Sequence, residues 1–282
     1  MKVLLTGANG FIGKNISSLL GTYCEIIECG RESKFKIDNL QQLLKLNDVE
    51  VVIHAAAQSG VQNSFKNSHE YFKFNLESTI NIAEFCRLKN VKKLIYLNTY
   101  VYGQNPLNPI CENHSVKPHS PYTKSKYLCE QMLMEYFDKN TTVISLRIFN
   151  LFGLHQPKKF FIPFIIDQLD FNNDIMINDM RPKRDYLYIK DLVSLIRKII
   201  FYKKEMKNHI FNVGSGVSYG FLEIIEILEK IKNKKISFIN KNNIRDNEIL
   251  DCYADISKVE NFFDWSCQFS FKDGLKDYIK IR

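Results

Sequence analysis

Lys2-Val3-Leu4-Leu5-Thr6-Gly7-Ala8-Asn9-Gly10-Phe11-Ile12-Gly13 is the stretch whose reading decides the fold. Lys2 to Thr6 is a short β-favouring apolar run that stops at glycine. Phe11 to Leu20 then carries apolar residues at helical spacing (Ile12, Ile16, Leu19, Leu20). Strand, glycine turn and helix, in that order, form the setting in which glycines at 7, 10 and 13 can hold a dinucleotide. The missing side chains permit a tight turn and close backbone approach, and the helix N-terminus stabilises a pyrophosphate. Gly7, Gly10, Phe11, Ile12 and Gly13 are therefore the candidate cofactor turn. A purely structural turn is the competing reading.

The alternation continues outward from this turn. Strands are expected at 24–29, 49–55, 93–97 and 142–147. Helices are expected at 38–46, 71–88 (with Phe72, Leu76, Ile80, Ala83 and Phe85 inward) and 121–136. The run 49–55 is nearly all apolar, as suits a strand covered on both faces. This pattern predicts an α/β protein: a Rossmann-type, doubly wound parallel sheet with a smaller C-terminal substrate-binding lobe. Later segments read as helices at 160–169, 191–201 and 221–230 and strands at 186–189 and 210–213, with the last thirty residues mixed. We expect residues 1–155 with 185–215 to form the dinucleotide-binding domain, and 156–184 with 216–282 the lobe.

At 282 residues the chain is long enough for such a core, and 45% apolar with 25% charged residues is ordinary for a globular protein. No apolar run approaches the length that crosses a bilayer, and the N-terminal run breaks too early for a signal-peptide core. No membrane association is expected. Seven scattered cysteines without a CxxC pair argue for free thiols in a reducing compartment, no metal site, and a cytoplasmic location. The net charge of +8 is spread along the chain, with short clusters at Lys203-Lys204 and from Lys232 to Lys235. That distribution argues against a nucleic-acid partner and suits an anionic small substrate.

Cofactor choice is read at the end of the second strand, where an NAD site usually places an acidic residue. The chain there runs Ile26-Ile27-Glu28-Cys29-Gly30-Arg31, with glycine at the acid position and then a guanidinium suited to a 2′-phosphate. NADP(H) is favoured and NAD(H) remains open, with Arg31 as surface residue and Glu28 as the acid being the alternative. Asp38 is a further candidate for the cofactor or, equally, a helix cap. His54-Ala55-Ala56-Ala57 follows the third strand, and Ala55 and Ala56 would let adenosine and phosphate lie close to the backbone.

Tyr122 and Lys126 lie one helical turn apart and share a face. A tyrosine is a poor acid–base group at neutral pH, but a neighbouring ammonium and a nicotinamide cation favour its phenolate. Lys126 can also hydrogen-bond the nicotinamide ribose. An isolated YxxxK occurs on many surface helices, so the companion motifs decide.

Those companions are TGANGFIG (6–13), HAAA (54–57), Tyr100-Val101-Tyr102-Gly103, YTKSK (122–126), Leu146-Arg147-Ile148-Phe149-Asn150, RDYLYIKD (184–191) and FNVGSG (211–216). In this order they resemble the extended short-chain dehydrogenase/reductase family, of the NAD-dependent epimerase/dehydratase type, over nearly the whole chain. The resemblance implies a serine or threonine that hydrogen-bonds the reacting oxygen. Thr99 takes that role, or Asn98 when the count runs back from Gly103. It also implies that Asn75 lies near the cofactor, that Asn150 contacts a nucleotide-diphosphate sugar, and that Arg184 and Arg245 clamp its diphosphate. Relatives of this kind commonly form a homodimer through the helices at 71–88 and 121–136.

Within the family, dehydratases carry Asp-Glu after the threonine, whereas Tyr100-Val101 stand here. Gly30-Arg31 and the short path to Asp38 tilt the expectation toward an NADP(H)-dependent oxidoreductase that reduces the C4 ketone of a nucleotide-linked 4-keto(-6-deoxy) sugar. The alternative is a 4-epimerase with tightly bound NAD. A non-catalytic NADP(H)-binding sensor is the remoter one, against which the presence of both Tyr122 and Lys126 argues.

Overall fold

The computed structural model describes residues 1–103, 107–137, 140–171, 174–244 and 248–282. In chain order the first elements are β1 (Lys2–Thr6), α1 (Phe11–Leu20), β2 (Glu25–Cys29), α2 (Leu40–Leu43), β3 (Val49–His54), α3 (Val61–Lys66) and α4 (Ser68–Lys89). Next come β4 (Lys93–Thr99), α5 (Pro121–Tyr136), β5 (Thr142–Ile148), β6 (Asn150–Phe152), α6 (Phe161–Phe171) and β7 (Asp174–Ile177). The remainder is β8 (Lys183–Tyr188), α7 (Ile189–Phe201), β9 (His209–Val213), β10 (Ser218–Tyr219), α8 (Phe221–Lys232), β11 (Ser237–Asn240), β12 (Asp251–Cys252), α9 (Ser257–Phe263) and α10 (Phe271–Ile281).

The chain divides into two compact units. The first comprises residues 1–102, 116–148 and 193–211. Its sheet runs β2-β1-β3-β4-β5-β9, and β1 to β5 pair in parallel. Val3, Leu4, Leu5, Val52 and Ile53 are fully buried, as strands sandwiched between helices must be. At the edge, β2 exposes Glu25 and Glu28, charges that discourage pairing with another chain. The expected doubly wound sheet is therefore present.

The helix that carries Tyr122 starts where its own sequence dictates. Ser120 Oγ accepts the Thr123 N–H (3.2 Å), Thr123 Oγ1 accepts the Ser120 N–H (3.0 Å), and Pro121 occupies the first turn. This reciprocal cap fixes the start of α5 and hence the direction in which Tyr122 and Lys126 project.

α4 departs from the expected orientation. Ile80, assigned inward on apolarity alone, is 44% exposed, whereas Asn75, Ser78 and Thr79 are buried with Ile82, Ala83, Phe85 and Cys86. The inward face carries polar groups because they have partners there, as the site shows below. α2 is shorter than expected, and Asn39 rather than Asp38 caps it: Asn39 Oδ1 accepts the Gln42 N–H at 2.9 Å.

The second unit comprises residues 103–115, 149–192 and 212–282. β8 pairs antiparallel with β10 and parallel with β12 and β6, and β7 pairs with β11. These pairings draw the boundaries differently from the sequence expectation. Residues 149–155 and 185–192 fall in the second unit because β6 lies beside β8. Residues 103–115 join it where Ile110 exchanges backbone hydrogen bonds with Tyr253 and Asp255 (2.9 and 2.8 Å). No helix among the described residues is long and apolar enough to cross a membrane.

Candidate active site

The turn after β1 is built as a cradle. Gly7 has φ +70°, and its N–H donates to the Cys29 carbonyl at 2.8 Å. A Cβ on Gly7 would stand 2.7 Å from the Ala56 nitrogen, and one on Gly13 would stand 2.1 Å from the Gly7 oxygen. Gly10 leads α1 with no side-chain cap, so the first-turn N–H groups around Phe11, Ile12 and Gly13 remain available to an anion. Bare backbone over an uncapped helix end fits the pyrophosphate of a dinucleotide. Gly13→Ala should therefore abolish dinucleotide retention, because backbone stands where the methyl must go. Mass spectrometry of the nucleotide released on denaturation checks this, and full retention would refute it.

β2 ends at Cys29, so Gly30 and Arg31 stand just beyond it, Arg31 exposed. Glu28 is turned to α1, where its carboxylate accepts from the Ser17 hydroxyl. Asn9 Oδ1 fills the space beside Gly30 and accepts the Glu32 N–H at 3.1 Å. Asp38 is exposed ahead of α2.

At the end of β3, Thr6 Oγ1 accepts the Ala56 N–H (3.1 Å), which leaves its proton for His54 Nδ1 (2.7 Å). Thr79 donates to the Asn75 carbonyl (2.6 Å), so its oxygen accepts from His54 Nε2–H (3.0 Å). Burial, and then the charge of Lys126, lower the His54 pKa to about 3, so this imidazole is neutral. Ala55 follows half-buried. Asn75 Oδ1 accepts the Gln58 N–H (2.7 Å) and Asn75 Nδ2 donates to Ser125 Oγ (2.9 Å). The Asn75 side chain thus ties the loop after β3 to α5.

Thr99 and Tyr122 come together: the threonine side chain hydrogen-bonds the phenol. Asn98, the other reading for this role, is committed elsewhere. Its Oδ1 accepts the Thr99 N–H (2.8 Å), and its Nδ2 donates to Glu130 (2.8 Å). The expectation that Lys126 lowers the Tyr122 pKa is corrected within this chain. Burial raises it, the Thr99 hydrogen bond opposes that, and Tyr71 adds to the rise. Lys126 is directed instead at another ring, lying 4.0 Å from the centroid of Tyr96. Burial lowers its pKa to about 8, with Cys129 and Glu130 pulling the other way.

Sequence reasoning did not single out Tyr71, Tyr96, Glu130 or Ser145, and it met Arg147 only as a member of the 146–150 motif. Tyr71 meets the Tyr122 ring edge-on (centroids 6.2 Å apart) and donates to the Ser59 carbonyl at 2.8 Å. The available signal was Glu130, an acid one turn beyond Lys126 on the inward face of α5.

In the second unit, Asn150 and Arg184 lie on the paired strands β6 and β8, and Asn150 Nδ2 donates to the Asp185 carbonyl at 3.3 Å. Arg184 forms an ion pair with Glu248 and donates to the Lys183 carbonyl (2.8 Å). Arg245 lies outside the described residues.

Residues 3–214 match the model of the NAD dependent epimerase/dehydratase family. A putative UDP-glucose 4-epimerase of Methanocaldococcus jannaschii is 30% identical, over 97% of this chain and 96% of that protein. The UDP-glucose 4-epimerase of Bacillus subtilis is 25% identical, over 98% and 95%. Among solved structures, a UDP-glucuronic acid 4-epimerase of Bacillus cereus, in complex with UDP-glucuronic acid and NAD, superposes with a TM-score of 0.86. It is 28% identical, with 100% of this chain and 99% of that one covered. A glycine cradle and a tyrosine–lysine helix in one parallel sheet, matched nearly end to end, have one explanation: the chain belongs to the NAD dependent epimerase/dehydratase family, the nucleotide-sugar branch of the extended short-chain dehydrogenases.

Proposed function

We propose that the protein is a nucleotide-sugar 4-epimerase that works with tightly held NAD. The observation that carries this reading is the near full-length similarity to UDP-sugar 4-epimerases, one of them at 30% identity. It displaces the ketone reduction favoured on sequence alone. Gly7, Gly10, Phe11, Ile12 and Gly13 would hold the pyrophosphate, and Ala55, Ala56 and Asp38 the adenosine half. Asn75 supports the nicotinamide side through the loop it braces. Bound NAD would accept the hydride that leaves C4 of the sugar and give it back, and when oxidised would supply a positive charge. Tyr122 takes the proton from the C4 hydroxyl and later returns it, and Thr99 donates a hydrogen bond to the same oxygen. Lys126 would hydrogen-bond the nicotinamide ribose, and the Thr99 hydrogen bond together with the charge of the oxidised nicotinamide would offset the effect of burial on the phenol. Asn150, Arg184 and Arg245 would hold the nucleoside diphosphate, with guanidinium suited to its phosphates.

The reading includes a homodimer through α4 and α5, on which Ile80, Leu88 and Leu128 are exposed, and a cytoplasmic location consistent with seven unpaired cysteines. Sedimentation of a single monomer-sized species would remove the dimer from it.

The test incubates purified protein with UDP-glucose, UDP-galactose or UDP-glucuronic acid and follows the sugars by NMR. Interconversion at C4 without added cofactor is the expected result. In a parallel incubation with NADPH and a nucleotide-linked 4-keto sugar, stoichiometric consumption of NADPH, with no interconversion of the UDP-sugars, would restore the reductase reading that Gly30-Arg31 favours. Arg31→Ala separates the two cofactors independently. With NAD, the dinucleotide content of the purified protein is unchanged. If NADP(H) is the ligand, its Kd weakens by about tenfold or more, as when a charge-assisted phosphate contact is lost.

A further inference from the structure

Lys126 is buried to 2% exposure in the interior of the first unit, and among the described residues no carboxylate lies within ion-pair distance of it. Such an ammonium is costly unless something offsets its lost hydration. The groups facing it come from three elements. β3 presents His54, which is neutral; β4 presents Tyr96; α5 itself carries Tyr122, Cys129 and Glu130. The Glu130 carboxylate is taken up by Arg147 of β5, by Asn98 and by Ser145 (2.6, 2.8 and 2.6 Å). What touches the ammonium is the face of Tyr96, 4.0 Å from the ring centroid. The Tyr96 hydroxyl meanwhile donates to the main-chain carbonyl of Lys126 itself at 3.2 Å. Tyr96 is fully buried, and in register it stands between His54 of β3 and Ser145 of β5.

We propose that Tyr96 is a positioning residue for Lys126, gripping it at both ends: the ring face holds the ammonium by a cation–π contact while the hydroxyl holds the backbone carbonyl. The ring quadrupole attracts the cation without using any of its three N–H donors. A carboxylate at the same place would offset burial equally well, but it would occupy those donors and neutralise the local charge. An aromatic face leaves both for the reaction. The proposal rests on the reading of Lys126 as a catalytic group, although its test does not depend on turnover.

The test is the titration of Lys126 in NAD-loaded protein carrying 13Cε-lysine, followed by NMR and assigned with Lys126→Arg. Removing a favourable contact of the charged form lowers the pKa, so the ammonium is lost at lower pH. Tyr96→Leu is expected to titrate about one pH unit below the wild type, a tenfold loss of proton affinity. Tyr96→Phe keeps the ring and stays close to the wild type. Since leucine leaves part of the ring's volume unfilled, a second series keeps the shape: phenylalanine, monofluoro- and trifluorophenylalanine at position 96 should lower the midpoint stepwise as fluorine drains the ring. A midpoint that ignores fluorination, or a Tyr96→Phe shift as large as that of Tyr96→Leu, overturns the proposal. Failure of the wild type to epimerise any nucleotide sugar would instead count against the function and leave this titration standing.

Discussion

Tyr122→Phe is expected to lower kcat for C4 interconversion by about 10³-fold, within the range a positioned acid–base group contributes, while dinucleotide content and thermal stability stay near the wild type. The substitution removes one oxygen from a half-buried ring whose packing against Tyr71 is retained. Thr99 loses a partner on the phenol, but its N–H remains bound to Asn98, so the turn at the end of β4 keeps its shape. NMR progress curves at equal protein concentration give the measurement. Turnover at the wild-type rate would remove Tyr122 from the chemistry, and with it the argument that separates an enzyme from a dinucleotide-binding sensor. Turnover lost together with the dinucleotide would mean that the ring had been structural.

What the sequence made legible was local. The turn from β1 to α1 follows from three glycines, and the start of α5 from Ser120, Pro121 and Thr123, all within a few residues of one another. What it concealed depends on register between distant strands. Parallel pairing sets His54 beside Tyr96, Tyr96 beside Ser145, and Asn98 beside Arg147. No spacing along the chain encodes those meetings. The same cause misdirected the reading of α4: Asn75 and Thr79 face inward because Gln58, Ser125 and His54 wait for them, so apolarity alone turned Ile80 the wrong way. Asn98 and Thr99 could not be told apart by counting residues, yet a single buried carboxylate, Glu130, separates them by engaging one and leaving the other to Tyr122. Epimerisation and reduction use the same tyrosine, lysine and threonine, so the reaction was the least legible part. Gly30-Arg31 and the short path to Asp38 pulled it toward reduction with NADP(H).

Arg147→Met is expected to cost about 3–5 kcal/mol of stability, the usual result of stranding one member of a buried ion pair, and to lower Tm by roughly 10 °C. The Arg147 and Glu130 side chains are 4% and 2% exposed and meet at 2.6 Å, and Arg147 Nη1 also donates to the Tyr102 hydroxyl at 2.9 Å. Without the guanidinium, Glu130 keeps the Asn98 and Ser145 hydrogen bonds but not the charge that compensates its burial. The damage should reach the site through a short path: Glu130 holds Asn98, Asn98 holds the Thr99 N–H, and Thr99 holds the phenol of Tyr122. kcat should therefore fall well below the folded temperature limit, whereas KM for the nucleotide sugar changes little. The double variant Glu130→Gln/Arg147→Met tests the cause. It removes both charges, leaves an amide that still accepts from Asn98, and should regain most of the lost stability in a denaturant titration. If the double variant is no more stable than Arg147→Met, the loss comes from packing around the guanidinium stem, and the path from Glu130 to Thr99 no longer rests on charge.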